Sequence, residues 1–102
     1  MAPGPVITEF MTPQRKLDFH DFSGQSLHPV EIQDATREFL EECIGSELTK
    51  VEIITGRGLH SENGRAIVKP TVRTLLNQVR GRLVESFRET SNGGAFEVIL
   101  KR

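Results

Sequence analysis

The run Lys50-Val51-Glu52-Ile53-Ile54-Thr55 most constrains the fold, because it is strongly β-prone and stops at a loop in which two glycines flank Arg57. A helical pattern stands on each side of it. Ile32, Ala35, Phe39 and Cys43, with Leu40 and Ile44 beside them, recur at helical spacing. Pro29 suits the first turn of that helix, where its missing N–H would be unpaired anyway, and Glu31 and Asp34 lie where the helix dipole favours negative charge. Gly45 is the expected stop. The second helix is expected from near Pro70, with Val72, Leu75, Leu76 and Val79 as its apolar face and Gly81 as its end.

Leu17 to Phe22 alternates with period two, so that Leu17, Phe19 and Asp21 share one face and Asp18, His20 and Phe22 the other. Leu83–Arg88 and Ala95–Lys101 read as two further strands joined by the turn Ser91-Asn92-Gly93-Gly94. The order β-α-β-α-β-β predicts an α/β chain of the α+β two-layer sandwich kind. Its four-stranded mixed sheet carries two helices and ends in a hairpin. The 102 residues suit one such domain. Residues 1–14, with three prolines, are expected to be a flexible N-terminal segment or linker, and 15–102 the domain.

The single cysteine, Cys43, allows no internal disulfide and falls in the first helix's apolar stripe, where a buried thiol is expected. With no long apolar run and no signal-peptide pattern, the sequence predicts a soluble, cytoplasmic chain (a nuclear one is the alternative) with no membrane partner, monomeric as an isolated domain. The net charge of −1 conceals an asymmetry: residues 1–56 sum to −6 and residues 57–102 to +5. Because binding depends on local potential, the second half could face phosphate; an ordinary solvated surface is the other reading.

Two constellations could carry chemistry. In the first, the flanking glycines let the backbone at Arg57 approach a ligand closely, and loop N–H groups can cradle an anion. Arg57 adds a fork of donors suited to phosphate, and His60 and Ser61 add an imidazole and a hydroxyl. Lys69 and Arg73 lie at the start of the next helix. The same residues also fit a plain strand-to-helix turn. In the second, Asp18 stands two residues from His20, so it could orient the imidazole and raise its basicity; a surface ion pair is the alternative. His28, before Pro29, could cap the helix, face solvent or join the site.

Leu17-Asp18-Phe19-His20, then Ile54-Thr55-Gly56-Arg57-Gly58-Leu59-His60-Ser61, then Val68-Lys69-Pro70-Thr71-Val72 and a closing Gly94-Ala95-Phe96-Glu97-Val98 resemble the Smr (small MutS-related) domain. That family carries an LDLHG strand and a TGxG loop. Residues 55–76 are most similar to eukaryotic members of the NEDD4-binding-protein type, and the resemblance spans about residues 15–102. Two departures stand out. Asp21 occupies the place of a family glycine, and the loop to the first helix is longer. A second register lays Leu27-His28-Pro29 on the family motif, which makes His28 the motif histidine and puts Ser26 where the aspartate belongs.

The resemblance implies a fold similar to the C-terminal domain of the third bacterial initiation factor. It also implies an endonuclease that cuts RNA in mRNA surveillance of the no-go decay type, or nicks DNA, with little sequence preference. The implied partners are an RNA or DNA phosphate backbone and the ribosome. Asp18, His20 and His60 (or His28) are the implied catalytic residues. Gly56, Arg57, Gly58, Ser61, Arg65, Lys69 and Arg73 are the implied nucleic-acid contacts. No cofactor is required by the sequence and no metal cluster stands out, although Asp18, Asp21 and His20 could hold Mg²⁺. The alternative function is a non-catalytic RNA- or ribosome-binding module.

Overall fold

The computed structural model describes residues 12–22, 27–57 and 67–101. Four strands and two α-helices are present among them: β1 (Lys16–Asp18), α1 (Pro29–Gly45), β2 (Lys50–Ile54), α2 (Val68–Gln78), β3 (Val84–Thr90) and β4 (Ala95–Leu100). The sheet order is β1-β2-β4-β3. β1 pairs parallel to β2, and β4 runs antiparallel to both β2 and β3. The expected mixed α+β architecture is therefore the observed one. The last strand of the sequence lies inside the sheet, between β2 and β3.

One face of each element builds the core. Val51 and Ile53 of β2 and Phe96, Val98 and Leu100 of β4 alternate inward and are buried. They meet Ile32, Leu40 and Cys43 of α1 and Val72, Leu75 and Leu76 of α2. Burial of this apolar surface is the main favourable term that holds the two layers together.

The first strand needs correction, and the structure refines three further element ends. The first strand does not run from Leu17 to Phe22. It stops at Asp18, and Phe19–Phe22 form a 3-10 turn. The cause is local: the Asp18 carboxylate accepts the His20 backbone N–H at 2.8 Å, which gives the chain an alternative to the strand ladder. Phe19 turns into the core and His20 stays exposed.

The second point concerns the end of α1, which falls at Gly45 as expected. Gly45 is its last helical residue, and the left-handed position falls on Glu47 (φ 61°), where the Leu48 N–H reaches back to the Cys43 carbonyl at 3.0 Å. Third, α2 starts two residues before Pro70, which sits in the first turn, and ends at Gln78 ahead of Gly81. Fourth, the third strand lies at 84–90 rather than 83–88, because the Leu83 N–H bonds to the Val79 carbonyl in a turn while Glu89 and Thr90 still pair with Phe96 and Ala95.

Candidate nucleic-acid interface at the sheet edge

Asp18 pairs with Ile54 at the ends of the parallel strands β1 and β2, so the segments that follow each strand leave the sheet side by side. Open α/β sheets place ligands beyond such carboxyl ends. Here the first segment carries Asp18 and His20, and the second carries Thr55, Gly56 and Arg57.

The Asp18 carboxylate makes two contacts through one oxygen. It accepts the His20 N–H, and it stands 3.3 Å from Nδ1 of the same imidazole. The carboxylate thus faces one ring nitrogen, and the other, Nε2, lies toward Gly56. A Cβ added to Gly56 would sit 3.3 Å from Nε2. Gly56 has φ +77°, a left-handed conformation that a side chain disfavours. The left-handed backbone favours glycine here, and an added Cβ would also make the exposed imidazole give way by a few tenths of an ångström.

The loop differs in detail from a simple anion cradle. The N–H groups of Thr55 and Gly56 both donate to the Gly94 carbonyl at 3.0 Å, so neither is available to a phosphate. The Thr55 hydroxyl donates to the Gly56 carbonyl at 2.8 Å. What this end of the sheet presents is the exposed side chain of Arg57, which follows the Gly56 that His20 Nε2 faces, and the exposed His20 imidazole. Gly58, His60, Ser61 and Arg65 lie outside the described residues.

Farther along the edge, Lys69 and Arg73 project from α2 one turn apart. Lys69 Nζ lies 2.7 Å from Glu89 Oε1, and Arg73 pairs with the same oxygen. The Arg73 guanidinium also stacks over the Phe96 ring, 5.7 Å from its centroid. A Cβ on Gly93 would lie 3.0 Å from Lys69 Nζ, which puts that cation next to the turn whose Gly94 holds the loop. Hydrogen bonding from Lys69, with the charges of Lys69 and Arg73, holds the Glu89 carboxyl below its ordinary range.

His28 is at a different task. It is the N-cap residue of α1, its backbone N–H donating to Glu31 Oε1 at 3.2 Å and its carbonyl accepting the Ile32 N–H at 3.1 Å. Among the described residues no group of three or more His, Cys, Asp or Glu gathers as a metal site. None of their helices is long and apolar enough to cross a membrane. Cys43 is fully buried, as expected, and burial pushes its thiol pKa up.

Sequence reading missed two carboxylates. Glu89 and Glu97 both bridge cation pairs, and Lys50, which joins Glu97 at 2.6 Å, is almost wholly buried. Strand register could have flagged only part of this: Arg88 lies directly opposite Glu97.

Four mixed strands with two helices, and at one end of the sheet an imidazole–carboxylate pair and two cations that share Glu89, define a small α+β domain. The Smr domain model matches residues 17–101, and the chain belongs to that family, which is associated with nucleases. The structure is similar to the crystal structure of the Smr domain of Thermus thermophilus MutS2 (TM-score 0.65, 21% identity, 86% of this chain and 99% of that one). It is also similar to the solution structure of the B3BP Smr domain (TM-score 0.53, 30% identity, 87% of this chain and 80% of that one). No curated protein sequence matches the chain.

Proposed function

We propose that this chain is an endonuclease domain that cuts single-stranded RNA with little sequence preference. The observation that carries the reading is the His20 imidazole, with Nδ1 3.3 Å from Asp18 and Nε2 facing Gly56, the residue before Arg57. A base in that position can take the proton from a ribose 2′-OH. The freed oxygen then attacks the adjacent phosphorus, a 2′,3′-cyclic phosphate forms, and the bond to the 5′ oxygen breaks as that oxygen gains a proton. His60 is the candidate donor of that proton. Arg57 neutralises charge on the phosphate as it becomes pentacoordinate. Lys69, Arg65 and Arg73 follow the backbone on either side, and surveillance of mRNA on ribosomes is the setting in which such a domain acts.

A second reading rests on Asp21, which stands where the family usually has glycine. It makes the chain an RNA- or ribosome-binding module without cleavage. Incubation of the chain and of His20→Gln with single-stranded RNA and DNA, with and without EDTA, separates the two. The nuclease reading expects new ends with 2′,3′-cyclic phosphate from RNA alone, lost in the variant. Binding without new ends supports the module. A 5′-phosphate product that vanishes with EDTA points to water attack assisted by metal.

A further inference from the structure

Two carboxylates in this structure each bridge a pair of cations, and their surroundings differ. Glu97 holds Lys50 with side-chain exposures of 15% and 3%, a brace sealed in the sheet. Glu89 is more open, at 41% exposure with Arg73 at 44%, while its other partner, Lys69, is more covered at 19%. Exposed ion pairs of this kind are worth little, on the order of 1 kcal/mol or less each, and exchange readily.

The open cluster has the form of an occupied anion site. Lys69 and Arg73, at i and i+4 on α2, converge on a single oxygen, Oε1 of Glu89. That is how two cations would meet one non-bridging oxygen of a phosphodiester. Phe96 supports the Arg73 guanidinium from one side. Gly93 leaves room for the Lys69 ammonium on the other. The next residue, Gly94, holds the Thr55 and Gly56 N–H groups, so the cluster and the His20 loop share one short turn.

We infer that Glu89 is a built-in competitor for the backbone phosphate. It fills the Lys69–Arg73 subsite in the free protein and is displaced when a neighbouring phosphate of a bound single strand docks there. This rests on the proposed nucleic-acid reading and adds to it a gate that weakens binding. Neutralising Glu89 frees two cations for phosphate and removes a repelling charge. An engineered loss of this acid therefore tightens binding, whereas a structural brace would weaken when lost.

The test is fluorescence anisotropy with a labelled oligouridylate across a salt series, with every protein in the His20→Gln background so that the probe stays intact. Glu89→Gln should bind about three- to tenfold more tightly than its parent at low salt. Its salt dependence should be steeper. Adding Lys69→Gln and Arg73→Gln to it should remove most of the gain, leaving only the small advantage of the lost negative charge over the Lys69→Gln/Arg73→Gln protein with Glu89 intact. Thermal melts of each protein confirm the fold, and Glu89→Asp, which keeps the charge, should bind as the parent does. If Glu89→Gln binds equally or more weakly while folded, the competitor role is overturned and the nucleic-acid reading stands. If no protein in the series binds RNA, both fall.

Discussion

Nε2 of His20 faces Gly56 so closely that one methyl group on Gly56 would stand 3.3 Å from it. Gly56→Ala should therefore act twice. The left-handed backbone makes it destabilising by about 1–2 kcal/mol, and the new methyl displaces the imidazole. Cleavage should fall further than the loss of folded protein explains. Gly45→Ala is the contrasting substitution: it lies within α1 with nothing near its added Cβ, so it should raise stability by about 0.5–1 kcal/mol. Paired thermal melts and cleavage assays check both, and unchanged cleavage in Gly56→Ala would show that Nε2 is not used.

His20→Gln should lower the cleavage rate by about 10²–10⁴ with little change in melting temperature, since the side chain is exposed. Asp18→Asn should have a smaller effect. Asparagine can still accept the His20 backbone N–H, so the turn persists while the charge beside Nδ1 is lost. Full activity in both variants, measured in single-turnover assays, would remove the pair from the reaction.

Arg57 is exposed at the loop, and phosphate contact there should show in the salt dependence of binding. Arg57→Gln should weaken RNA binding and reduce the slope of log K against log salt by about 0.7, the share of one phosphate on a single strand. His28→Gln should leave affinity and slope unchanged, because that residue caps α1 through its backbone. A loss of affinity in His28→Gln equal to that in Arg57→Gln would favour the second register of the family motif.

The Lys50–Glu97 brace predicts acid sensitivity. A hydrogen bond from Lys50, then its charge and that of Arg88, lowers the Glu97 pKa from its ordinary value of 4.5. The ionised form is thus favoured in the folded chain, and its stabilising effect is complete above pH 4.5. It fades as pH falls through the lowered pKa. Glu97→Gln should cost about 2–3 kcal/mol at neutral pH, because it leaves the buried Lys50 ammonium without this partner. It should also flatten the stability profile below pH 4.5. Urea melts across the acid range measure both, and parallel profiles for the two proteins would refute the assignment.

Periodicity made most of the fold legible. The stripes of α1 and α2 and the alternation of Phe96, Val98 and Leu100 report directly which faces are buried. The segment after β1 was misread because Leu17 to Phe22 has a strand's alternation, while the competing bond from the His20 N–H to Asp18 is invisible to a pattern of apolar residues. The candidate site was half legible. The Thr55–Arg57 loop announces itself through glycines, and the Asp18–His20 pair through spacing. Glu89 gave no signal, because its partners come from a helix more than a dozen residues away and only the packing of α2 on the sheet brings them together.

The position of β4 has a consequence for when the domain becomes competent. A chain emerges during synthesis from its N-terminus, so β1, β2 and β3 all exist before the strand that joins β2 to β3. Until Gly94 arrives, the Thr55 and Gly56 N–H groups have no carbonyl to hold them and the loop beneath His20 has no fixed shape. The fold thus acts as its own timer. The surface that would meet a nucleic acid is completed by the domain's last strand, and a domain translated only through β3 carries Asp18, His20, Arg57, Lys69 and Arg73 without the turn that holds the loop.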